Sequence, residues 1–254
     1  MNGLNSKTVL GDIAIALVFF TRIPFPPFEI RDRRLGQAIW AAPAAGIVVA
    51  LLGGLAFTVG DLLGMTSALS AAIALATIMI ATGCLHEDGL ADTADAFGGG
   101  KTLERKVEIM RDSRLGTYGA AALMASMLLR WSALASMTDG ATVVCALIAA
   151  HAGSRGIFGV LIDRTPLARE SGLAASVGPI SGETAAAGLA IGGLSLLLLG
   201  FSGAILAAFL AAAAVYAVRQ LTIRQIGGAT GDTLGASQQV AEITILALAS
   251  AFLS

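Results

Sequence analysis

The chain is dominated by long uncharged apolar runs, and about 20 such residues in succession are what one helix needs to cross the ~30 Å hydrocarbon core of a bilayer. Runs meeting that test fall at 37–60, 65–85, 115–137, 139–163, 183–201, 203–221 and 233–253, which gives seven predicted spans. An eighth apolar segment, 9–20, is too short to span and is expected to lie in the interface or re-enter. No small-residue cleavage site follows it, so it does not read as a signal peptide. Composition agrees. Of 254 residues 56% are hydrophobic and 13% charged, against roughly 25% charged in a soluble domain. The mean hydropathy is +0.81, and 31 glycines suit closely packed membrane helices. A soluble globule, a disordered chain and a disulfide scaffold are excluded. A net charge of -1 leaves no basic excess to hold nucleic acid, and Cys84 and Cys145 sit inside apolar runs as small hydrophobes.

The connections check the span count. Those at 61–64, 138–139 and 202 are tight and carry no Lys or Arg. The others carry Arg31, Arg33 and Arg34; Lys101, Arg105, Lys106, Arg111 and Arg114; Arg164 and Arg169; and Arg219 and Arg224. Seven spans put every basic connection on one side, which the positive-inside rule makes cytoplasmic. No repeat, linker or composition break divides the chain, so residues 1–254 read as one all-α, polytopic integral membrane bundle.

Charge in so apolar a chain must lie in loops or serve a function, and twelve charged residues crowd into 86–114. Leaving the second span, the chain reads His86-Glu87-Asp88-Gly89-Leu90-Ala91-Asp92-Thr93-Ala94-Asp95. On a helix Asp88, Asp92 and Asp95 stand at i, i+4 and i+7, within a ~60° arc of one face. Like charges so spaced repel, and a cation is the natural compensation. Oxygen ligands of this kind suit Mg²⁺, Mn²⁺ or Ca²⁺. A solvated acidic loop is the plainer alternative. The run 98–100 is all glycine and reads either as a phosphate cradle or as a helix stop.

Residues 102–112 show helical periodicity between charges and predict a cytoplasmic surface helix along the membrane. It leads into Arg111-Asp112-Ser113-Arg114, where guanidiniums can clamp phosphate oxygens or anchor to lipid headgroups. A second glycine-rich acidic stretch, Thr230-Gly231-Asp232-Thr233-Leu234-Gly235-Ala236, opens the last span. Asp232, Gln239 and Glu242 form a polar stripe down that helix, and Arg130, His151 and Arg155 also fall within spans. Such groups must face the bundle interior, either pairing with Glu242 or lining a wet cavity. Acids, arginines and a second Gly-Asp element at helix ends suit divalent-metal phosphoryl transfer.

At these residues the sequence resembles the cobalamin synthase (adenosylcobinamide-GDP ribazoletransferase) family. Four blocks carry the resemblance in family order: Phe19-Phe20-Thr21-Arg22-Ile23-Pro24, the 86–95 block, Arg111-Asp112-Ser113-Arg114-Leu115-Gly116-Thr117-Tyr118-Gly119, and the 230–236 block. The one departure is Ala96, where glycine is common in the family. The resemblance implies a Mg²⁺-dependent, multi-pass enzyme of the bacterial cytoplasmic (inner) membrane with its active site facing the cytoplasm. It would join adenosylcobinamide-GDP to α-ribazole, or α-ribazole 5′-phosphate, giving adenosylcobalamin or its phosphate and GMP. Asp88, Asp92, Asp95 and Asp232 are the expected metal ligands. Asp88, Asp92, Asp95 and Glu87 are the expected catalytic residues, with Asp95 or Glu87 as base. Arg111, Asp112, Arg114, Arg22 and Gly231 are the expected substrate-binding residues. The expected partners are the two small-molecule substrates and the lipid bilayer, with no nucleic acid; assembly as a homo-oligomer is left open. A CDP-alcohol phosphotransferase with similar aspartate logic is the second reading, and a transporter the third.

Overall fold

The computed structural model describes residues 6–26, 33–137, 139–170 and 172–253. Arg31 of the first basic connection and Thr138 of one tight turn lie outside them. The described residues are helical throughout, and their one β-type contact is an isolated bridge between Leu167 and Ala229. In order the helices are α1 (Ser6–Phe20), α2 (Leu35–Ala38), α3 (Ala42–Leu62), α4 (Ser67–Thr82), α5 (Leu85–Gly99), α6 (Leu103–Ile109) and α7 (Thr117–Ala135). They continue as α8 (Gly140–Gly156), α9 (Phe158–Asp163), α10 (Leu173–Ser176), α11 (Gly182–Ser195), α12 (Gly200–Ile226) and α13 (Gly231–Leu253).

Among the described residues, four helical stretches are long and apolar enough to cross a bilayer: Leu35–Leu62, Gly140–Asp163, Gly182–Ile226 and Gly231–Leu253. A bent pair, Ser67–Thr82 with Leu85–Gly99, makes a fifth if counted as one span. The sequence count of seven differs for two physical reasons. The expected span 115–137 corresponds to α7, which carries Arg130 in its apolar stretch. The expected pair 183–201 and 203–221 forms one 45-residue helical stretch. At 1.5 Å per residue that stretch is about twice the length a bilayer requires. It is interrupted by a 3-10 turn at Leu196–Leu199 and by Gly200, whose φ of +76° only glycine adopts readily. Its first limb packs on α8 and its second on α13.

The bundle centres on α3, α8 and α13. Helix α3 packs against α4 and α8, and α13 against α5, α7, α8 and α12. Small residues make the close crossings possible: a side chain at Gly46 would run into the backbone of His151. Large apolar side chains remain on the outer surface, among them Ile80 (77% exposed), Phe201 (77%) and Phe209 (67%). Side chains this greasy and this exposed require lipid around them.

Candidate functional site

The site begins at a corner. Helix α4 ends in two consecutive left-handed residues, Gly83 (φ 62°) and Cys84 (φ 57°), whose amides donate to the carbonyls of Ile80 and Met79. The chain turns there by 89°, so the apolar limb α4 is followed by the short acidic helix α5 running off its axis. Arg22 braces the corner: its amide donates to Ala81, and its side chain lies where a Gly83 side chain would be.

Helix α5 then crosses the start of α13 at very close range. A Cβ on Gly89 would lie 2.7 Å from the Asp232 carbonyl oxygen, and one on Gly235 would meet the His86 and Gly89 backbones. This crossing brings Asp88 and Asp92 beside Asp232. The helix start of α13 is capped by Thr230 and Thr233, whose hydroxyls each accept from the other's amide. Asp232 is thus not needed as a cap, and it accepts only the Thr230 hydroxyl at 3.2 Å. The half-buried Asp92 carboxyl is pushed up to about 7, by burial first and then by the charges of Asp88, Asp232 and Asp95.

Two cavities meet at Asp88. One is lined by Phe20, His86, Phe158 and Leu173 as well as Asp88 and Asp232, and holds about 240 Å³. The other is a polar groove of about 470 Å³ lined by Asp88, Asp92, Arg111, Asp112 and Arg114. Asp112 and Arg114 form an exposed ion pair, Nη2 to Oδ2 at 2.6 Å. Gly231 lies on the rim of the first cavity. Arg169, not singled out in the sequence, contributes positive charge near Asp232.

Two of the expected carboxylates are used differently. Asp95 is buried, and its Oδ2 and Oδ1 accept the amides of Gly116 (2.7 Å) and Gly119 (2.8 Å) at the start of α7. Side chains at either glycine would collide with this carboxylate. The glycines of the third block therefore form a cradle for an anion that the chain itself supplies. Glu87 also lines the groove, but its Oε1 accepts from Arg130 Nη1 at 2.9 Å and its buried Oε2 has no partner. The same Arg130 nitrogen donates to Glu242 Oε1 at 3.0 Å, and Glu242 Oε2 lies 3.1 Å from His151 Nδ1. Gln238 donates to Glu242 as well, at 2.7 Å. Of the two alternatives for the intramembrane charges, pairing with Glu242 is the one the structure adopts.

The neighbouring elements follow the sequence reading more closely. The surface helix is α6, capped by Thr102 and with no buried residue, and Lys106 ties it to Gln225 of α12. The glycine run closes α5: Gly98 lies under the Tyr118 ring, and the Gly100 amide donates to Ala96. It is a helix stop.

Among the described residues no three His, Cys, Asp or Glu side chains are placed to hold a metal ion together. What Asp88, Asp92 and Asp232 offer is a set of hard oxygen donors with unbalanced charge beside arginines. One or two of these carboxylates suit a hydrated divalent ion such as Mg²⁺, which fills its other positions with water and phosphate.

The cobalamin-5-phosphate synthase family matches residues 12–250. The chain belongs to this family. It is 51% identical over 251 residues to the adenosylcobinamide-GDP ribazoletransferase of Mesorhizobium japonicum, covering 99% of this chain and 97% of that protein. The protein of the same name from Bradyrhizobium diazoefficiens is 47% identical, with 97% and 95% covered. That from Azorhizobium caulinodans is 39% identical, with 96% of each covered. No solved structure matches the chain.

Proposed function

We propose that this protein is an adenosylcobinamide-GDP ribazoletransferase. It joins adenosylcobinamide-GDP to α-ribazole, or to α-ribazole 5′-phosphate, and releases GMP. The observation that carries the reading is Asp88, which borders both the apolar cavity and the arginine-lined groove and so stands where two substrates would meet. The family and the names of its relatives point to the same reaction.

In the reaction the acceptor hydroxyl gives up its proton to solvent and its oxygen bonds to the phosphorus that bears cobinamide. The bond from that phosphorus to the bridging oxygen breaks, and GMP leaves with that oxygen. A reaction of this type has little covalent chemistry for the protein to perform, and catalysis rests on positioning and charge stabilisation. Arg111 and Arg114 hold the diphosphate oxygens in the groove. One or two of Asp88, Asp92 and Asp232 would hold Mg²⁺, which when bound would neutralise charge on the diphosphate. Asp95 positions the third block by fixing the start of α7, and Glu87 fixes α5 to the bundle through Arg130; neither acts on substrate. Arg22 holds the α4–α5 corner.

The site opens on the side that carries Lys101, Arg105, Lys106, Arg111 and Arg114. By the positive-inside rule this is the cytoplasmic face of the bacterial inner membrane, where nucleotide and Mg²⁺ are supplied. A transporter would need its intramembrane charges along an open path, whereas Arg130, His151 and Arg155 are buried and engaged with Glu242. The experiment that tests the reading offers the purified protein adenosylcobinamide-GDP with α-ribazole, and separately CDP-diacylglycerol with an alcohol acceptor. GMP release in the first and no CMP release in the second is expected. The reverse would make it a CDP-alcohol phosphotransferase, and flux into proteoliposomes without product would make it a transporter.

A further inference from the structure

The apolar cavity holds a group that the proposed chemistry has not yet used. His86 lines it and is 2% exposed, and its Nε2 has no hydrogen-bond partner. Its other nitrogen, Nδ1, faces the guanidinium of Arg155, with Nη2 at 3.5 Å. A guanidinium only donates, so Nδ1 accepts and the ring hydrogen sits on Nε2. A buried donor without a partner costs free energy that a ligand with an acceptor would recover.

The rings beside it describe the shape of that ligand. Phe20 and Phe158 lie 5.3 Å apart with planes 12° from parallel, and His86 is 5.9 Å from the first and 6.0 Å from the second, again near parallel. Three near-parallel rings bordering one cavity make a platform for a flat aromatic group. The remaining lining is mostly aliphatic, including Leu35, Ile39, Ile162 and Leu234. At about 240 Å³ the space is below the ~300–1,000 Å³ of pockets that take whole drug-sized ligands. It suits one ring system.

Resting on the transferase reading, we infer that this cavity is the seat of the acceptor's base: the ribazole ring lies against Phe20 and Phe158, and its unsubstituted ring nitrogen accepts a hydrogen bond from His86 Nε2. Guanine is the competing flat group in this reaction, and the lining argues against it. Guanine's N–H groups could meet Asp88 and Asp232, but its acceptors O6 and N7 would find only the His86 Nε2 donor among the otherwise aliphatic and aromatic walls. The ribazole base has a single acceptor nitrogen to satisfy, and among the described lining residues His86 Nε2 is the one buried donor left unpaired. Seated there, the acceptor's ribose lies toward Asp88 and Asp232, beside the groove proposed for the diphosphate.

The test separates the two substrates. Phe158→Leu, and Leu173→Trp at a 44% exposed position of the lining that a larger ring would fill, are each expected to raise KM for α-ribazole about tenfold. KM for adenosylcobinamide-GDP is expected to move less than about twofold. Wild-type protein is expected to favour ribazole about tenfold or more over a riboside whose base is an indole, which lacks the ring acceptor, and His86→Phe to erase most of that preference. Equilibrium dialysis of radiolabelled ribazole against each variant in detergent reads the same loss without turnover. A rise in KM confined to adenosylcobinamide-GDP would assign the cavity to guanine and overturn the inference, as would unchanged constants for both substrates. No product from wild-type protein would instead overturn the transferase reading.

Discussion

Glu87 and Arg130 form a buried ion pair, Oε1 to Nη1 at 2.9 Å, with side chains 5% and 0% exposed. It joins the acidic helix α5 to α7 in the bundle interior. Removing one partner of such a pair leaves the other charge uncompensated, at a cost of about 3–5 kcal/mol. Glu87→Ala is therefore expected to lower the thermal unfolding midpoint in detergent by many degrees, whereas Glu87→Gln, which retains an acceptor, keeps measurable transfer activity. A stable Glu87→Gln protein without any turnover would make Glu87 a participant in chemistry.

Asp95 serves α7 as a cap supplied from another helix. Exchange of a capping carboxylate for alanine typically costs about 0.5–2 kcal/mol. Asp95→Ala is expected to lower stability in that range and to raise KM for adenosylcobinamide-GDP, because the arginines of the third block precede the cradle directly. Its Mg²⁺ dependence is expected to match wild type. A large rise in the Mg²⁺ concentration for half-maximal turnover would place Asp95 on the ion.

The α5–α13 crossing depends on Gly89. A methyl group there meets backbone on α13 rather than a movable side chain. Overpacking of this kind costs about 1–3 kcal/mol, and here it also moves Asp88 and Asp92 away from Asp232. Gly89→Ala is expected to lose turnover more severely than Gly235→Ala, whose added Cβ has its nearest neighbour at 3.4 Å. Equal, near-normal activity of both would show that the three carboxylates need not stay close.

The crowding of carboxylates also sets a pH dependence. Burial and the charges of Asp88, Asp232 and Asp95 push the Asp92 carboxyl up to about 7, above its range in the unfolded chain, so folding favours its protonated form. The stability tied to this group is fully present below the ordinary carboxylate value of 3.8, declines as pH rises above it, and is lost as pH passes through about 7. In excess chelator the unfolding midpoint is therefore expected to be lower at pH 8 than at pH 6, and Mg²⁺ to narrow that difference. A midpoint rising from pH 6 to pH 8 without metal would contradict this arrangement of charges.

Much of this was legible in the residues. The i, i+4, i+7 spacing placed the aspartates on one helix, and the second Gly-Asp element was found with its own signal. Less legible was anything that depends on a partner far along the chain. Nothing local to Glu87 tells that Arg130 claims it, and nothing local to Asp95 tells that Gly116 and Gly119 cradle it. Hydrophobicity marked where apolar helices begin, but neither the corner at Gly83 and Cys84 nor the join at Gly200 has an apolar signature. His86 and Phe20 stand out in the sequence only as members of their blocks, and nothing local to them tells that three helices bring their rings together with that of Phe158.

The central claim is that Asp88 lies where the two substrates and Mg²⁺ come together. The most direct measurement is Mg²⁺-dependent GMP release from adenosylcobinamide-GDP and α-ribazole by purified wild-type and Asp88→Asn proteins of matched thermal stability. The account predicts release by wild type only with Mg²⁺ present, and a loss of about a hundredfold or more in Asp88→Asn, the scale on which removed charge stabilisation acts. Turnover of Asp88→Asn close to wild type at saturating Mg²⁺ would contradict it.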